Sequence, residues 1–233
     1  MFVGHYGVSF AARRFEPQLP LWVLFIAVQL LDVAWSPLVL LGIEKVRIVP
    51  GITASNPLDL YYMPYTHSLV GASLWAVAFA LVVAAFTPAG KRGLSALIAG
   101  ALVLSHWALD LLVHRHDLPL IADTDNKLGY ALWDQPFVEA PLELGLLFAG
   151  FALFMAATKP RGTMGKIAPW IVMTALLVLQ GINWFTPPPP NAASFAGLGL
   201  TAYLGLAALA LWLDRVRATA SHAALAAFPE RFA

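Results

Sequence analysis

The chain has 233 residues, 60% of them hydrophobic and 12% charged, with a mean hydropathy of +0.73. A soluble domain carries about 25% charged residues, so this composition excludes an ordinary water-soluble domain and points to an integral membrane protein. The net charge of +1, with basic residues scattered singly and in pairs, offers no footprint for nucleic acid, and the absence of cysteine excludes disulfides and thiolate metal sites.

Taken in chain order, residues 2–15 are apolar but too short to span a bilayer. Arg13 and Arg14 stand at the polar C-terminal end of this run instead of before it, the wrong polarity for a cleaved signal peptide. The turn signal EPQLP comes next. Residues 2–15 and 20–34 therefore read as a half-membrane helical hairpin turning near Pro17. His5 lies 12 residues before that turn and Asp32 15 after it, which brings the two to similar depth. Six apolar runs are long enough to span about 30 Å of hydrocarbon as helices: 20–42, 67–87, 93–114, 137–157, 167–185 and 195–213. The segments GITASNP, TPAGKRG, TKPRGTMG and TPPPPNAAS between them carry turn residues. The expected fold is all-α: a polytopic integral membrane protein of about six transmembrane helices with an N-terminal half-membrane hairpin. It forms a single membrane domain, with a metal-site half over 1–158, two scaffold helices over 159–215 and a cytoplasmic tail over 216–233.

With alternating spans, one side holds ten basic residues (Arg13, Arg14, Lys91, Arg92, Lys159, Arg161, Lys166, Arg215, Arg217 and Arg231). The other holds four (Lys45, Arg47, Arg115 and Lys127). The excess marks the first side as cytoplasmic. The loops 44–66, 115–136 and 186–194 then face outward, to the periplasm if the membrane is a bacterial inner membrane.

Charge at membrane depth is rare and marks a functional site or an internal pair. Under this topology His5, Asp32, His67, His106, Asp110, Glu139 and Glu143 all converge on the outer half of the membrane. Positions 106, 110 and 114 share one helix face, and Glu139 and Glu143 repeat the i, i+4 spacing on the next helix. Imidazole and carboxylate without thiolate suit Zn²⁺, with Mn²⁺ or Fe²⁺ as alternatives, and the number of donors suits two or three ions. His114 or His116 joins this set with Glu139 or Glu143; spacing favours His114, while a chain turn before Pro119 would favour His116. Asp117, Asp123, Asp125 and Asp134 read as solvated loop acids, and His222 as an interfacial side chain. The last two spans, with only Gln180 and Asn183 as notable polar groups, read as scaffold or as a wall for a lipid-like substrate.

The GH near the start, LLD with a following Pro, YTHSL and SHWALD resemble the bacterial inner-membrane metal-dependent hydrolase family over roughly residues 4–120. The chain departs from it at Ala34 and at Tyr62-Met63, where members carry a second Asp and a His-Arg pair. The ligand order is also distantly similar to the zinc-dependent phospholipase C family, an all-helical fold with a three-zinc site. That resemblance implies that Asp32, His67, His106 and Asp110 bind one ion, with His5 on a neighbouring ion shared through Asp110. It also implies an N-terminal amine ligand, which is not carried over to Met1 because Met1 stands four residues before His5.

The expected function is metal-dependent hydrolysis, with Asp32 as the general base for attack by a metal-activated water on a phosphoester or ester. The depth of the site points to a lipid or lipid-linked phosphate drawn from the bilayer. Two rivals use the same residues: a divalent metal or proton transporter, which needs ionisable groups through both leaflets, and a non-catalytic scaffold clamped by metal.

Overall fold

The computed structural model describes residues 1–219, so His222, Arg231 and most of the expected tail lie outside the described residues. Among the described residues eight α-helices run in chain order: α1 Val3–Phe15, α2 Leu21–Val28, α3 Leu30–Leu40, α4 Leu69–Phe86, α5 Arg92–Val113, α6 Pro136–Ala157, α7 Gly162–Phe185 and α8 Ala192–Val216. The fold is all-α and polytopic. Five helices, α4 to α8, are long and apolar enough to cross a membrane, and the bent pair α2–α3 makes a sixth candidate span. The helix α4 shows why such segments lack amphipathic periodicity: Leu74, Val77, Leu81 and Phe86 are all exposed, as lipid-facing residues are. Among the described residues three short two-stranded antiparallel sheets trim the bundle: β1 Lys45–Ile48 with β2 Leu58–Tyr62, β3 Leu118–Pro119 with β4 Lys127–Leu128, and β5 Thr158–Pro160 with β6 Arg217–Thr219.

The N-terminal hairpin is present, turning over residues 16–20. Arg13 Nη1 donates to the Pro17 carbonyl at 2.8 Å and also to the Leu19 carbonyl, and Ser9 Oγ donates to Leu24 O at 2.7 Å across the two arms. The continuous helix expected over 20–42 is instead broken at Gln29, with a 56° bend between α2 and α3. The break falls beside a carbonyl put to another use: Val28 O lies 2.7 Å from Nδ1 of His106 on α5.

Close backbone approach seats α1 on α6. A Cβ on Gly7 would overlap the Leu146 carbonyl, and one on Gly150 would overlap the Gly7 carbonyl. Only hydrogen at both positions allows this separation, and it fixes His5, half a turn before Gly7, against the bundle interior. Proline and capping residues set the other boundaries. Four consecutive prolines, 187–190, prevent α7 and α8 from merging, and Asn191 caps α8 by accepting from Ser194 N at 2.8 Å. Ser68 does the same for α4 through Gly71 N at 2.9 Å.

Candidate metal centre

Asp110, on the last turn of α5, is the hub of a buried cluster. Its Oδ1 lies 2.8 Å from the amino group of Met1 and 3.2 Å from His5 Nε2. Its Oδ2 lies 3.1 Å from His106 Nε2, 3.7 Å from His114 Nε2 and 3.9 Å from His67 Nε2. Asp32, delivered by α3 just beyond the break at Gln29, adds a second carboxylate, with Oδ1 3.4 Å from His67 Nε2 and 3.9 Å from His106 Nε2. The rings of His5 and His106 stack at 4.0 Å. Asp32 is the most open member: its side chain is 18% exposed, against 5% or less for the other five side chains.

The tautomers of three rings follow from their partners. A backbone carbonyl only accepts, so His106 donates Nδ1–H to Val28 O. Thr66 spends its hydroxyl proton on Glu44 Oε2 at 2.6 Å, so its oxygen accepts Nδ1–H of His67 at 2.8 Å. His114 Nδ1 lies 2.9 Å from Asp117 Oδ1, again an acceptor. Each ring therefore turns Nε2 toward the two aspartates and is held there from behind, the arrangement in which imidazoles are presented to metal ions. His106 Nε2 is buried without a hydrogen-bond partner although it stands 3.1 Å from Asp110. A neutral Nε2 offers a lone pair, and so does the carboxylate facing it. The pair needs a cation, either protons or a metal, and the donor set fits the metal.

Among the described residues two groups of three donors lie close enough together to hold an ion, with ligand atoms within 4.8 Å of one another: His5, His106 and Asp110; and Asp32, His67 and His106. Both include His106, whose one free nitrogen serves a single ion. Asp110, with its two oxygens on different partners, is the residue able to bridge two.

The remaining candidates separate. His114 caps the end of α5, where φ −63° and ψ 149° take the chain out of the helix at Val113, well before Pro119. It still reaches Asp110, whereas His116 is exposed and makes none of these contacts. Glu143 is buried and serves the start of α1: Oε1 accepts from Phe2 N and, at 3.2 Å, from Gly4 N, while Oε2 faces Gln180 Nε2 at 3.4 Å. A carboxylate there satisfies amide groups at a helix N-terminus. Glu139 is buried beside it with Oε2 unpartnered among the described residues.

Several participants lie outside the ligand set expected from the sequence. The Met1 amine was set aside above, yet the chain start folds onto Asp110. Asp117, read as a solvated acid, is buried and orients His114; Asp123, Asp125 and Asp134 are exposed as expected. Glu44 is buried and also accepts from the Tyr65 and Thr66 amides at 2.8 and 3.0 Å. Trp107 Nε1 donates to the His67 carbonyl at 2.9 Å, and the Trp133 ring covers His114 at 4.3 Å. The two helices read as scaffold also contribute, Gln180 from α7 and Tyr203 from α8, the latter beside Asp32. Among family models, curated proteins and solved structures, none matches the chain.

Proposed function

We propose that this chain is a membrane-embedded, metal-dependent hydrolase that cleaves a phosphoester or ester of a lipid or lipid-linked substrate. The carrying observation is that His67, His106 and His114 are each oriented through Nδ1 so that Nε2 faces Asp32 and Asp110. The motif resemblance to inner-membrane metal-dependent hydrolases supports the same reading.

A bound divalent ion, Zn²⁺ by the character of the donors, supplies Lewis acidity and makes water at the site more acidic. His67 and His106 with Asp32, and His5 with Asp110, are the residues to hold it. Asp32, the most open carboxylate, accepts the proton of the attacking water as general base. Tyr203, beside Asp32, lies where its hydroxyl can orient that carboxylate or a substrate oxygen. Trp133 and Trp107 keep bulk water from the far side of the cluster.

The excess of basic residues on the opposite side favours placing the cluster in the outer half of a bacterial inner membrane, within reach of lipid substrates. A transport relay has less support, because α8 offers no ionisable side chain from Leu204 to Leu213, between the cluster's end of the bundle and Asp214.

The test is hydrolysis by the purified full-length protein loaded with Zn²⁺, followed as headgroup release from phospholipid vesicles. Asp32→Asn is expected to lower turnover about 100-fold while the protein keeps much of its metal through the remaining ligands. Wild-type turnover in that variant removes Asp32 as the base. A wild-type protein that holds metal but cleaves no phosphoester or ester lipid removes the hydrolase reading.

A further inference from the structure

At the other end of the bundle lies a second polar site, which the hydrolase reading does not use. Phe195, near the start of α8, packs edge-on against Trp35 beside the cluster. Asp214, near its end, stands 19 residues further on, or about 28 Å along the helix. Asp214 thus lies near the far end of the α8 span, 11 residues or about 16 Å beyond Tyr203, which stands beside Asp32. A cavity of about 250 Å³ opens there, between the α1–α2 turn and the ends of α7 and α8. Its lining includes Arg13, Arg161, Arg217, Gln18 and Asp214, hence three guanidinium groups against one carboxylate.

The three arginines are held in different ways. Arg217 is 5% exposed and rigid: Nε donates to Thr158 Oγ1 at 2.9 Å, Nη1 to Gly165 O at 2.7 Å and Nη2 to Thr158 O at 2.8 Å. All three acceptors are neutral, and among the described residues no carboxylate pairs with it. Burial pushes this guanidinium below its ordinary pKa, and an uncompensated buried charge at a bilayer edge is costly. Arg13 spends Nη1 on the turn carbonyls and approaches Asp214 Oδ1 with Nη2 at 3.4 Å, leaving Nε buried without a partner among the described residues. Asp214 is itself shared, since Oδ2 accepts from Trp22 N at 3.2 Å. Arg161 is exposed, with its backbone fixed by Arg161 N donating to Val216 O at 2.8 Å. Among the described residues Asp214 and the neighbouring Glu16, both acting on Arg13, still leave one guanidinium in excess. Three guanidinium groups that line one cavity keep N–H donors beyond those spent on the protein, and such donors match the oxygens of a phosphate group.

We infer that the cavity lined by Arg13, Arg161 and Arg217 binds a phosphate-bearing anion, at a site separate from the His/Asp cluster. The bound group would bridge the α1–α2 hairpin to the ends of α7 and α8. It would then brace the helix that carries His5 from the end opposite the cluster. The site does not depend on the cluster being hydrolytic.

The test is native mass spectrometry of the full-length protein in neutral detergent, titrated in separate arms with phosphatidylglycerol, phosphatidylcholine and inorganic phosphate. One phosphatidylglycerol is expected to bind in preference to phosphatidylcholine. Arg161→Gln, at an exposed position, is expected to weaken that binding about tenfold. Asp214→Asn, which removes the competing carboxylate, is expected to strengthen it. Retention of the lipid against millimolar phosphate identifies a headgroup ligand, and displacement by phosphate identifies a soluble one; both uphold the site. Lipid and phosphate affinities that are unchanged in both variants, or binding of neither ligand, overturn it.

Discussion

The orientation of His67 rests on a proton count at one hydroxyl. Thr66 has a single O–H and gives it to buried Glu44, so its oxygen can only accept from the ring. Thr66→Val removes that acceptor with little change of shape. It is expected to lower metal affinity about 10- to 100-fold without unfolding the protein, measured by competition with a chromogenic chelator; an unchanged affinity means the relay does not orient His67. Imidazole ligands must lose their protons to bind metal, so affinity is expected to fall as the pH is lowered. A titration of zinc affinity between pH 8 and pH 5 checks the sign. At this scale the sequence was most informative where ligands share a helix turn, as His106 and Asp110 do. The Met1 amine was indicated by the resemblance alone, because an amine has no side-chain signature of its own. Asp117 was not legible because a loop acid looks solvated until the loop is seen to fold inward.

Helix lengths were legible from apolar runs, whereas the break between α2 and α3 was not. Leu21–Leu40 is apolar apart from Gln29, Asp32 and Ser36, and the break falls where Val28 O meets a histidine 78 residues away, a long-range contact that the local sequence does not announce. The seating of α1 on α6 was equally hidden, because Gly7 and Gly150 look ordinary until their backbones meet. Gly150→Ala is expected to destabilise the protein by roughly 1–3 kcal/mol and to weaken metal binding by moving His5. Gly181→Ala on α7, where a new Cβ meets nothing within 4 Å, should do neither. Thermal unfolding of the two variants in one detergent makes the comparison, and equal behaviour contradicts the close-packing argument.

Across the whole molecule, the bundle separates two kinds of chemistry: a His/Asp cluster at one end and an arginine-lined cavity at the other. Their separation follows from helix direction, which counting spans made legible; the packing that closes each site was not. The absence of cysteine makes the orientation directly testable by single-cysteine labelling. Tyr130→Cys and Lys91→Cys lie beyond opposite ends of α5. A membrane-impermeant thiol reagent is expected to label the first in intact cells and the second only after permeabilisation; the reverse pattern inverts the proposed orientation. The central claim, that the cluster is a metal site, is tested most directly by elemental analysis of full-length protein purified without chelator. The expected result is at least one divalent ion per wild-type chain, lost in His106→Ala and in Asp110→Ala. Wild-type protein that carries no stoichiometric metal, and takes up none when zinc is restored, would contradict it.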